Sequence, residues 1–162
     1  MTNDPDTLSQ QDVVDTLRDA STVMLTTALP DGTLLSHPMA IQGVGDEADI
    51  WFFVSLQGGQ ADALRHDPHV NLAIAEAGSW LSVAGRARFV EDRALVDQLW
   101  NDQATDYFPG GKDDPDLGLL QVTGDSAQFW GVAGGPVARL TRFVTAKATG
   151  GHPPGGTSTT EL

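Results

Sequence analysis

Ile50-Trp51-Phe52-Phe53-Val54-Ser55-Leu56-Gln57-Gly58-Gly59-Gln60 is the stretch on which the reading of this chain turns. Ile50 to Ser55 is a near-continuous apolar run, the pattern of a strand buried on both faces. Leu56-Gln57-Gly58-Gly59 then turns the chain, and Gln60 to His66 reads as a helix. Glycines at 58 and 59 let backbone approach a ligand closely, and the free N–H groups of a helix start point toward an anion. The cations that usually accompany such a cradle are missing, because no lysine or arginine lies between Arg18 and Arg65.

Working outward, Ser9 caps a predicted helix over residues 10–19, with Val13, Val14 and Leu17 on one stripe. Ser21 to Leu29 and Thr33 to Gln42 predict a hairpin around Pro30-Asp31-Gly32. A further turn is expected at Gly45-Asp46-Glu47. Downstream, Asp67-Pro68 ends the short helix, and Val70, Leu72 and Ile74 alternate as a half-buried strand. After a turn at Ala77-Gly78, Leu81, Val83, Ala87 and Phe89 share one face of a long strand, with Ser82, Arg86 and Arg88 on the other. Glu91 opens a predicted helix carrying Leu95, Val96, Leu99 and Trp100. A loop rich in Asp, Gly and Pro follows to Asp116. Leu117–Val122 and Ser126–Trp130 read as two strands, or as one broken at Gly124-Asp125. Pro136, Leu140, Val144 and Gly150 favour a last helix. The expected organisation is one domain over residues 1–148, with a disordered tail over 149–162 that has no apolar payload to offset its ordering entropy.

Composition narrows the function classes. The 162 residues suit one core-forming domain, and the absence of cysteine excludes disulfides, thiolate nucleophiles and iron–sulfur clusters. A net charge of −13 repels phosphate backbones and anionic membrane surfaces, so neither nucleic acid nor membrane is an expected partner. No run is long enough to span a bilayer, and Met1 to Asp6 carries neither a basic region nor an apolar stretch, so a cytoplasmic protein is expected. His66 and His69 flank Asp67-Pro68 without sharing a helical face, and no metal site is expected.

Turn-linked strands with two or three helices suggest a mainly β fold, a small antiparallel barrel with peripheral helices. Within that frame, Ser36-His37-Pro38-Met39, then Trp51-Phe52-Phe53-Val54-Ser55, then Asp67-Pro68-His69-Val70-Asn71-Leu72-Ala73, resemble in order and spacing the pyridoxamine-phosphate-oxidase-like split barrel. Phe108-Pro109-Gly110-Gly111-Lys112-Asp113-Asp114-Pro115-Asp116-Leu117 and Phe129-Trp130 resemble its bacterial general-stress-protein branch. The resemblance covers residues 8–148. It implies an antiparallel split β-barrel of the FMN-binding type, a homodimer with flavin mononucleotide (FMN) at the subunit interface, and a small-molecule substrate.

The resemblance places His37, Ser55, Gly58, Gly59 and Gln60 at the phosphate, and Pro38, Met39, Phe53, Val54 and Trp130 around the ring. Two positions depart from it, for the family's second strand normally supplies an arginine where this chain has His37, and its helix begins with a lysine where this chain has Gln60. An imidazole beside a phosphate is drawn toward its charged form. No residue is assigned a catalytic role, since in such an enzyme the cofactor performs the redox chemistry.

Plainer readings stand beside these. His37 is also a satisfied strand histidine, Gly58-Gly59 a simple turn, Trp51, Phe52 and Phe53 core, and Trp80 and Trp130 interface. Arg86 and Arg88 read as solvated, and Lys112 as holding its own acidic loop. Two functions remain open: an FMN-dependent oxidoreductase, or a non-enzymatic split-barrel dimer with weakened or lost flavin binding. A haem-binding barrel using His37 and His69 is a more distant reading.

Overall fold

The computed structural model describes residues 8–76, 79–131 and 156–162. Helix α1 (Gln10–Asp19) starts at a reciprocal capping box, in which Ser9 Oγ accepts from the Asp12 N–H and Asp12 Oδ2 accepts from the Ser9 N–H. Its Val13, Val14 and Leu17 are fully buried, and Arg18 ties it to Asp46 at 2.5 Å. Strands β1 (Thr22–Ala28) and β2 (Leu34–Ala40) form the expected hairpin, with Gly32 at φ 86° in its turn. The two-residue β3 (Gly43–Val44), too short for a periodicity to reveal, pairs β4 (Asp49–Ser55). Helix α2 (Gly59–His66) follows directly, then β5 (His69–Glu76) and β6 (Ser79–Val90).

Helix α3 (Arg93–Leu99) begins two residues later than Glu91, because the Asp92 carboxylate caps it by accepting from the Leu95 N–H at 3.0 Å. Two short 3₁₀ turns, Asp102–Asp106 and Gly111–Asp113, order the acidic loop. Strand β7 (Leu117–Gly131) is continuous. The suspected break at Gly124-Asp125 is a bulge: Ala84 pairs Ser126 while Gly85 pairs Gly124, so Asp125 is the extra residue. That bulge aims Asp125 at Arg86, 3.1 Å away.

The strand order is β2-β1-β5-β6-β7-β4-β3, all neighbours antiparallel, and the sheet curls into a split β-barrel. Alternation sets its faces. Leu25, Leu72, Val83 and Ala127 lie in one cross-strand row and are all buried, with Ile50, Phe52, Val54, Leu120 and Val122 completing the interior. A second apolar cluster lies outside β4 and β7, where Phe53, Leu119, Ala104 and Phe108 pack beneath α3 and the first 3₁₀ turn.

The expectation of a disordered tail is corrected over its last residues. Gly156–Glu161 forms β8 on the free edge of β7, and Leu162 packs on the core with its N–H bonded to Asp125 O at 3.0 Å. Apolar payload was the wrong criterion there, because an open edge supplies ladder hydrogen bonds to polar residues as readily as to apolar ones. The turn at Ala77-Gly78 and the predicted helix from Pro136 lie outside the described residues.

Candidate functional site

The site is built where α2 starts against β2. Gly58 is the helix N-cap at φ 92°, a conformation that favours glycine, and no side chain caps the helix. A Cβ added at Gly58 or Gly59 would meet nothing within 4 Å, so this turn is open on its outer side. The first N–H groups of α2 therefore keep the donor capacity that every helix start leaves over.

Strand β2 turns alternate residues to its inward face. Leu25 faces His37 across the β1–β2 ladder, so His37 shares the inward face with Leu35 and Met39, and all three are half-buried. Met39 Sδ accepts from Gln60 Nε2 at 3.5 Å, which joins the strand to the first turn of α2. A thioether is a weak acceptor, so this amide is only lightly held. His37 Nδ1 is buried with no hydrogen-bond partner, and Thr27 Oγ1 on the neighbouring strand is in the same condition at 1% exposure. Leaving such a group unsatisfied costs about 1–3 kcal/mol.

The other sequence-predicted residues fall elsewhere. Ser55 sits at the edge of the turn, but its hydroxyl is engaged, donating to Asp116 Oδ2 at 2.6 Å and accepting from the Gln57 N–H at 3.1 Å. Val54 points into the barrel at 2% exposure. Phe53 points the opposite way, into the second cluster, with its ring 5.6 Å from that of Trp100. Pro38 lies on the outward face of β2, opposite Met24. Trp130 is also outward, at the far end of β7 and directly across from Trp80. Met39 thus meets the start of α2 at Gln60, beside Gly58 and Gly59, and His37 lies two positions along the same face of β2, while Phe53 and Trp130 point elsewhere.

Arg65 lies at the turn, donating to Leu56 O at 2.6 Å with its guanidinium over the Phe89 ring. Lys112 pairs with Asp97 on α3, at 3.4 Å, rather than with the acids of its own loop. Arg86 pairs Asp125, and Arg88 donates to Gln121, so neither is merely solvated. His69 faces outward, bonded to Asp67, whose carboxyl is held below its ordinary range chiefly by the His69 N–H. Opposite faces thus separate His37 and His69. A cleft of about 540 Å³ between β6, β7, α3 and the second 3₁₀ turn contains none of the sequence-predicted residues.

Sequence reasoning missed two residues. Thr27 was visible in principle, because Val23, Leu25 and Thr27 alternate inward along β1. Asp116 was not, since only folding carries it to Ser55, 61 positions away in the chain.

Comparisons with known proteins agree with this fold. The family described as pyridoxamine 5'-phosphate oxidase like matches residues 9–154. Protein bli-3 of Neurospora crassa is 30% identical over 118 residues, 66% of this chain, and the matched region spans 56% of that relative's length. A protein assigned as general stress protein 26 from Jannaschia sp. CCS1 superposes with a TM-score of 0.73 at 25% identity, covering 93% of this chain and 96% of that one. The general stress FMN/FAD binding protein of Xanthomonas citri superposes at 0.64 with 34% identity, covering 75% and 87%. The family match spans most of the chain, the described strands form the split barrel, and the chain belongs to the pyridoxamine 5'-phosphate oxidase-like family.

Proposed function

We propose that this chain binds flavin mononucleotide, with its phosphate at the start of α2, and that the loaded protein is an oxidoreductase acting on a small molecule. The observation that carries the reading is the meeting of an uncapped Gly58-Gly59 helix start with the His37–Met39 face of β2 through Gln60. The residues present fit a phosphate as hydrogen-bond donors: the α2 N–H groups, the Gln60 amide, and the His37 imidazole. Ser55 would first have to leave Asp116. The name of the Xanthomonas relative supports the same ligand class.

The flavin, when bound, supplies the hydride and electron chemistry. The chain's own part is to hold and shield. Gly58 and Gly59 admit the phosphate without a side chain in the way, and the imidazole offers it a ring N–H. Met39 and the barrel wall keep water from one side of the site. Neutral donors give bonds about half as strong as charge-assisted ones, so binding is weaker than with the usual two cations.

Titrating FMN into the purified protein and following flavin fluorescence tests this. Saturable binding is expected, weakening below pH ~6 as the phosphate itself loses charge. Flavin fluorescence that never saturates at any pH supports instead the non-enzymatic barrel, a reading favoured by the Asp116 carboxylate beside the turn.

We also propose that a second copy of the chain covers the outward face of β1, β5, β6 and β7. Three successive rows there, Thr26-Asn71-Ala84-Ser126, Met24-Ala73-Ser82-Gln128 and Ala75-Trp80-Trp130, carry no charge in a chain with 31 charged side chains, 22 acidic and 9 basic. Met24, Trp80 and Trp130 are 41%, 50% and 37% exposed. Uncharged faces with aromatic anchors are typical of interface centres. Light scattering is expected to give a dimer for the native chain and a monomer for Trp80→Glu. A native monomer would remove this partner.

A further inference from the structure

We propose that Thr27 is a positioning residue for His37, holding its imidazole through one bridging water so that Nε2 carries the proton and faces outward. Both Thr27 Oγ1 and His37 Nδ1 are sealed from solvent and have no hydrogen-bond partner among the described residues. They lie on the same face of the β1–β2 ladder, where Thr27 pairs Leu35 and Leu25 pairs His37, so the two residues are diagonal neighbours. Diagonal residues sit roughly 7–8 Å apart, a gap that two facing polar side chains span with a single water. Two orphaned atoms in adjacent positions thus explain one another, where each alone would be an uncompensated burial.

The hydroxyl and the water can each donate or accept, and the proposed bridge runs from Thr27 to the ring. The Thr27 hydroxyl donates to the water, the water donates to Nδ1, and Nδ1 as an acceptor leaves the ring proton on Nε2. His37 Nε2 is not among the sealed, unpartnered atoms, so it reaches the surface of the half-buried ring. An outward Nε2–H is a donor even when the imidazole is neutral, which suits an approaching anion. This last purpose rests on the phosphate reading above, whereas the tautomer itself does not. A valine at 27 would fill the same space with no polar atom, and the hydroxyl is the one buried polar side chain among the described residues.

The test uses the full chain without ligand. Long-range proton–nitrogen NMR of the labelled protein at about pH 8.5, above the imidazole range, reads each ring nitrogen as protonated or bare. His37 is assigned by the loss of its signals in His37→Gln. The expected pattern is a bare Nδ1 and a protonated Nε2, kept in Thr27→Ser and drifting toward the two-tautomer average of free histidine in Thr27→Val. A Thr27→Val spectrum identical to the native one overturns the proposal, as does a native ring protonated at Nδ1. FMN affinity is a second readout, expected to fall about two- to twelvefold in Thr27→Val, the value of one neutral hydrogen bond. Its melting temperature should not fall in parallel, which separates positioning from a structural role. If FMN never binds but the tautomer responds to Thr27→Val, the positioning stands and the flavin reading falls.

Discussion

His37→Arg combined with Gln60→Lys is expected to tighten FMN binding by roughly 30- to 1000-fold at low salt. Each new cation converts a neutral contact into a charge-assisted one, worth about 1.5–3 kcal/mol before losses. Ordering a long side chain returns part of that gain, leaving about 1–2 kcal/mol for each. The two sum to about 2–4 kcal/mol, and 1.4 kcal/mol is tenfold. Gln60 gives up little, since its recorded partner is the Met39 thioether. The gain should shrink as salt is raised, because the site is open to solvent on its Gly58-Gly59 side. Isothermal calorimetry of the native and double-variant chains measures it. A change under about threefold would mean that the phosphate does not sit at the start of α2.

Phe52→Ala should lower stability by about 3–5 kcal/mol, a fall in melting temperature of roughly 6–20 °C. Its ring is fully buried in the barrel and no neighbour can collapse into the space without moving the sheet. Phe53→Ala offers the sharper contrast. Phe53 packs in the second cluster against Trp100, so its loss should also lower the melting temperature but leave FMN affinity as in the native chain. Calorimetric melting and FMN titration on the same samples separate the two effects. A tenfold loss of affinity in a folded Phe53→Ala protein would show that the flavin ring reaches the far side of β4.

Much of the scaffold was legible because it obeys local rules. The Ser9 capping box, the Pro30-Asp31-Gly32 turn, the apolar run of β4 and the alternation along β6 each depend on neighbours a few positions away. The continuous β7 was read as ambiguous for an equally local reason, since Gly124-Asp125 looks like a break until Gly85 on the partner strand leaves one residue over. The tail failed differently. Three threonines in Gly156–Glu161 suit a strand but no apolar residue marks one, and the vacant edge that recruits it belongs to β7.

The candidate site divides along the same line. Residue types and order along the chain settled the family, the glycine-rich helix start, and the lack of cations between Arg18 and Arg65. Which way each side chain points was decided by pairing register and barrel curvature: Phe53 into the second cluster, His37 to the inward face of β2, Ser55 bound to Asp116, and Thr27 diagonal to His37. The physical reason is that alternation divides a strand into two faces, while only contacts between distant segments determine what each face meets.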